Sequence, residues 1–155
     1  MTGQASGALD IVPYWGRMND TIIQLVDYIP GDKLNWSPKP ELWNFKGILL
    51  HVVMVRHNWL ANRVKDGAPT PDTLHEGQTR EGMKEQLRLS WRRLERFLRD
   101  PARLAATYAV EYEDGEMVTG HWIAYHLLEH DVHHRADIFH YLALLDIEHP
   151  DVETP

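Results

Sequence analysis

The chain has 155 residues, 43% hydrophobic and 25% charged, which suits one soluble domain able to bury a full core. Its formal net charge of -7 opposes a phosphate-tracking nucleic-acid surface and a docking face for anionic membranes. The lack of cysteine excludes disulfides, thiolate metal sites and cysteine nucleophiles.

Residues 1–7 are small and polar, and no run approaches ~20 apolar residues. A cytoplasmic protein free of membrane contact is therefore expected. Sequons at Asn19 and Asn35 are read as chance.

The first helix is predicted over residues 8–29. Ile11, Trp15, Met18, Ile22, Leu25 and Ile29 recur at spacings of three and four, making one apolar stripe. Gly31 fits a stop, and Pro30, Pro38 and Pro40 mark a loop. The second helix is predicted over residues 44–65, with Asn44 as N-cap and Trp43 and Ile48 as a hydrophobic staple. Residues 67–77 read as a loop long enough to run the length of a helix. The third helix begins near Thr79, carries Met83, Leu87, Trp91, Leu94 and Leu98, and closes at Pro101. Arg88, Arg92, Arg93, Arg96 and Arg99 lie largely off that stripe and read as a solvated face. Residues 108–118 suggest a hairpin turning at Asp114-Gly115, although Glu113 would then face Glu116. The last helix is predicted over residues 119–145. The whole reads as one all-α domain, a four-helix bundle ordered up-down-down-up.

The chemistry concentrates in the last helix. Residues four apart share a helical face, so His126, His130 and His134 form a ladder. Two imidazoles at i and i+4 can converge on an ion at about 2.0–2.1 Å, and neutral imidazole suits zinc, nickel or iron. A single such pair is more often incidental than ligating. Spacing does not choose between His126/His130 and His130/His134. A third ligand must come from another helix. His51 is favoured because Val55 and Trp59 continue its face into the bundle. His57 is turned roughly 120° away on the helical wheel.

Two segments stand out, Trp43-Asn44-Phe45-Lys46-Gly47-Ile48-Leu49-Leu50-His51 and His130-Asp131-Val132-His133-His134-Arg135. Both are similar to the DinB-like family, which is grouped with YfiT-like metalloenzymes. The resemblance implies a four-helix bundle, often dimeric, with one divalent metal held by His51, His130 and His134. It also implies a small-molecule reaction such as thiol S-transfer with a low-molecular-weight thiol. The family signature usually continues with glycine and glutamine; here it reads Ala136-Asp137.

Other readings compete. A bundle with a structural metal could serve only dimerisation or small-molecule binding. A metal-dependent hydrolase is a further alternative. Residues 130–134 also have the H-E-x-x-H protease spacing, but with aspartate for glutamate, which reaches less far toward a bound water. Asp131 and Arg135 are spaced for an i, i+4 ion pair, or Asp131 orients a ligand. Asn58 is a candidate pocket residue, and Tyr14, Tyr125 and Tyr141 are candidate proton donors. Six tryptophans exceed what one small bundle must bury, which favours a homodimer.

Overall fold

Four long helices frame the computed structural model, which describes residues 11–110 and 115–149. They are α1 (Val12–Tyr28), α2 (Phe45–Asn58), α4 (Arg80–Leu98) and α6 (Gly120–Leu144). α1 packs on α4 and α6, and α2 packs on α4 and α6. The expected stripes form the core. Trp15, Met18, Ile22, Leu25 and Ile29 of the first stripe are buried, as are Met83, Leu87, Leu94 and Leu98 of the third. Trp91 is part-buried against Trp15, ring centroids 5.9 Å apart. Apolar burial of this kind supplies the main driving force for the fold.

The helix starts follow local chemistry. Asn44, Thr79 and Thr119 each accept a hydrogen bond from a backbone N–H in the first turn of their helix. Such caps occupy donors that the helix itself leaves unpaired. Arg80 at the start of α4 donates to the Val26 and Ile29 carbonyls at the end of α1, tying two helix ends together.

Several boundaries differ from the sequence expectation. α2 gives way to a π-helical stretch, Trp59–Val64, which ends at Lys65 in the left-handed region with φ 54°. A π turn adds about one residue per turn and so changes which side chains face the core. The expected loop after α2 contains a short helix, α3 (Thr73–Glu76), capped by Asp72. Pro101 does more than close α4: it opens α5 (Pro101–Ala105), where its missing N–H costs nothing. Gly31 lies within a single 3₁₀ turn, Gly31–Lys33.

The hairpin is present. β1 (Thr107–Ala109) pairs antiparallel with β2 (Met117–Thr119), with Tyr108 opposite Val118. Gly115 has φ 79°, which glycine adopts without strain. Asp114 and Glu113 lie outside the described residues, as do residues 8–10 of the expected first helix. α6 starts hard against α5: a Cβ on Gly120 would stand 2.2 Å from the Arg103 carbonyl oxygen, so only glycine fits there. No helix of the described residues is long and apolar enough to cross a membrane.

Candidate metal centre

α2 and α6 lie side by side, and their facing turns bring His51, His130 and His134 together. One ring nitrogen from each lies within 4.8 Å of the others. His130 Nε2 is 3.0 Å from His51 Nε2. Two ligand nitrogens on a tetrahedral ion at ~2.0–2.1 Å would be separated by about 3.3 Å, so the spacing suits one shared ion. His126 does not join this group; its ring stacks on Trp122 and lies 4.9 Å from Trp59.

The environment keeps two of these rings, His51 and His134, ready to ligate. Burial pushes His51 down to about 4, aided by His130 and His134. Burial also lowers His134, with His130 acting in the same sense and Asp137 opposing. Neutral imidazole is the form that binds a divalent ion. Two carboxylates stand behind the rings. Asp137 Oδ2 is 3.0 Å from His134 Nδ1. Asp131 Oδ1 is 3.8 Å from His130 Nδ1, and both atoms are buried with no closer partner. A carboxylate or carbonyl on the far ring nitrogen is the usual way a protein fixes the tautomer of a metal-binding histidine. The donor set therefore fits a divalent metal.

Asp131 is anchored from the other side. It is fully buried, and Oδ2 accepts from Arg56 Nη2 at 2.7 Å, Arg56 Nε at 3.0 Å and Trp15 Nε1 at 2.8 Å. Burial alone would raise the carboxyl's pKa; the Arg56 charge, with the nearby His130 and the hydrogen bonds from Arg56 and Trp15, outweighs it and holds Asp131 below its ordinary value. Arg56 also donates to Asn19 Oδ1 and Ser90 Oγ, so the network joins all four long helices. The expected Asp131–Arg135 pairing is thus corrected: Asp131 pairs across the core with Arg56. The sequon at Asn19 is buried in the same network.

Trp43, expected as a staple residue and as the start of the family-like segment, also stands at the site. Its ring is half exposed, stands edge-on to His51 at 4.1 Å and lies parallel to His134 at 6.3 Å. Tyr141 Oη donates to the Trp43 carbonyl at 3.0 Å, which fastens this loop to α6. That bond gives Tyr141 a positional role, while Tyr14 and Tyr125 are exposed. Asn58 lines an open cavity of about 540 Å³ together with His51, Trp59, Trp122, His126 and His130.

His57 faces another way. It is buried, and its Nδ1 is 3.1 Å from Arg93 Nη1. Guanidinium only donates, so Nδ1 accepts and the ring proton sits on Nε2. Burial, then Arg93 and Arg56, push His57 to about 4, against an opposing pull from Asp66. Arg93 itself is buried and grips Asp66 through Nη2 at 2.6 Å and Nε at 2.7 Å. This corrects the reading of Arg93 as solvated; Arg88, Arg92, Arg96 and Arg99 are exposed as expected.

The DinB family model matches residues 1–155. The chain belongs to the DinB family. Two solved DinB-like proteins resemble this DinB-family chain in fold. That from Bacillus subtilis shares 19% identity, covers 92% of this chain and 96% of its own, and has a TM-score of 0.71. That from Bacillus cereus shares 13% identity over 92% and 95%, also at 0.71. No curated protein matches the sequence.

Proposed function

We propose that this DinB-family protein binds one divalent metal ion, zinc, nickel or iron, through His51, His130 and His134, and acts as a thiol S-transferase on small electrophiles. The observation that carries the reading is the convergence of three imidazoles from two helices, two of which, His51 and His130, line an open cavity. A divalent ion in that position lowers the pKa of a thiol bound to it, which supplies a nucleophile at neutral pH. The chain contributes the rest. Trp59 and Trp122 offer apolar walls to an electrophile, and His126, Asn58 and Glu116 give the cavity its polar groups. The cyclic packing of α1, α4, α2 and α6 supports the up-down-down-up four-helix bundle as the frame of this site.

The test begins with metal analysis of untagged protein purified without added metal. The metal that copurifies is then used in a screen of low-molecular-weight thiols against 1-chloro-2,4-dinitrobenzene. Metal-dependent transfer that is lost in His51→Ala supports the reading. Tight metal binding without transfer of any thiol would leave a metal-containing binding module instead.

The homodimer belongs to the same proposal. Trp43 and Trp122 are 49% and 45% exposed, which is large apolar area to leave in water. Light scattering at micromolar concentration is expected to give twice the 18.1 kDa chain mass. A mass of one chain across that range rejects the dimer.

A further inference from the structure

His130 and His134 enter the cluster from one helix, yet the carboxylates behind them differ. The charge of Asp131 is committed to Arg56 and Trp15, and its second oxygen stays 3.8 Å from His130. Asp137 has no such commitment to a core arginine. It is about one-third exposed, and its ion-pair contacts are with His133 Nε2 at 3.6 Å and His134 Nδ1 at 3.0 Å. The spacing of three residues on α6 makes the second contact possible. It also places an acid where the family signature usually has a glutamine.

An ionised carboxylate only accepts, so its hydrogen bond fixes the His134 proton on Nδ1 and leaves the Nε2 lone pair for the cluster. Resting on the metal reading above, we propose that Asp137 is a positioning residue: it sets the tautomer and ring orientation of His134 and adds negative charge behind a ligand of a dication. Its effect is therefore on metal affinity, through His134 alone. His133, His134 and Asp137 also gather ligand atoms within 4.8 Å, which would make Asp137 a ligand of a second ion. Geometry argues against that use. His134 Nδ1 already meets Asp137 at hydrogen-bond distance, and His133 is two-thirds exposed, so it is not held in place for an ion.

The test measures zinc affinity by chelator competition in the full chain, for wild type, Asp137→Ala, Asp137→Asn and His133→Ala. Asp137→Ala is expected to bind ~10–100-fold more weakly. Asp137→Asn keeps an acceptor without the charge and should fall between. His133→Ala should match wild type, and each protein should bind one zinc. Nitrogen-detected NMR of the zinc-loaded protein should show a slowly exchanging His134 Nδ1 proton that Asp137→Ala loses. Circular dichroism checks that the variants fold. Equal affinity in wild type and Asp137→Ala overturns the positioning role and leaves the metal reading standing. Two zinc ions in wild type, one of them lost in both Asp137→Ala and His133→Ala, would make Asp137 a ligand instead. No zinc binding in wild type removes the metal reading and the positioning role together.

Discussion

His51 and His57 lie on the same helix, six residues apart, and both are held near a pKa of 4. Their surroundings differ in kind. The His57 end is closed: Arg93 supplies the donor for Nδ1, Asp66 supplies the charge for Arg93, and Ala68 and Thr70 accept the remaining guanidinium protons. The His51 end is open: its ring meets two other imidazoles, none of which offers an obligatory donor or a compensating charge. A depressed histidine pKa therefore does not mark a ligand by itself. The partners do. At His57 Arg93 occupies the one ring lone pair, and the buried Nε2 carries the proton without a partner, so nothing is left there for an ion; a surplus of lone pairs at His51 describes a place for a cation.

Removing the surplus is the sharpest way to break the comparison. His51→Ala, His130→Ala and His134→Ala are each expected to lose metal by more than the ~10–100-fold that removal of an outer partner gives. His57→Ala and His126→Ala should keep the full metal content. Equilibrium dialysis with zinc reads the difference, and equal retention in all five variants would reject the assignment.

The closed end should fail in stability instead. Arg93 and Asp66 have side chains only 3% and 7% exposed. Removing one partner of a buried pair costs about 3–5 kcal/mol, because the other charge stays buried without compensation. Asp66→Ala should therefore lower the urea midpoint strongly. Metal affinity measured well below that midpoint should not change.

These two ends were not equally legible in the sequence. Helix stripes and caps depend on near neighbours, so Asn44, Thr79 and Thr119 could be read directly as helix starts. The partners of Asp131 and Arg93 could not. Helical spacing ranks only i±3 and i±4 neighbours, and it pointed Asp131 at Arg135. Its actual partner Arg56 is 75 positions away. One signal was present: Arg56 is a charged residue inside the apolar run of α2, and such a residue needs a buried counter-charge. Arg93 was hidden among exposed arginines. Spacing also left His126 and His134 equivalent. Only the family resemblance separated them, and the structure then grouped His134 with His51. The π-helical stretch leaves no periodic trace, because it displaces the pattern by one residue at a helix end.

Acid sensitivity offers a smaller contrast. The unfolded His57 titrates near 6.5, and the folded one at about 4. Between those values the unfolded chain takes up a proton that the folded chain refuses. Stability is thus lost as pH falls from about 6.5 to about 4, and the loss levels off below that. His57→Asn keeps an acceptor for Arg93 near the Nδ1 position but cannot be protonated there. It should weaken the fold at pH 7 yet lose less stability than wild type between pH 7 and pH 5. Urea melts at the two values test this, and parallel losses would show that His57 does not carry the acid response.

The smallest expected effect separates the ends of α2 in the time domain. Asn44 Oδ1 accepts from the Gly47 N–H at 2.7 Å, two turns before His51. Replacing an asparagine cap by alanine costs about 1 kcal/mol. Because a lost cap first loosens the adjacent turns, Asn44→Ala should raise amide exchange across residues 45–51 more than across residues 55–58, where Arg56 ties the helix to α1, α4 and α6. The metal should reverse this selectively. Zinc bound through His51 links the frayed end to α6, so exchange at residues 48–51 should slow on zinc addition while the His57 end stays unchanged. Hydrogen exchange with and without zinc reads both effects. Uniform slowing along α2 would mean that the two ends open together, and that the division drawn between them is static geometry rather than a difference in local stability.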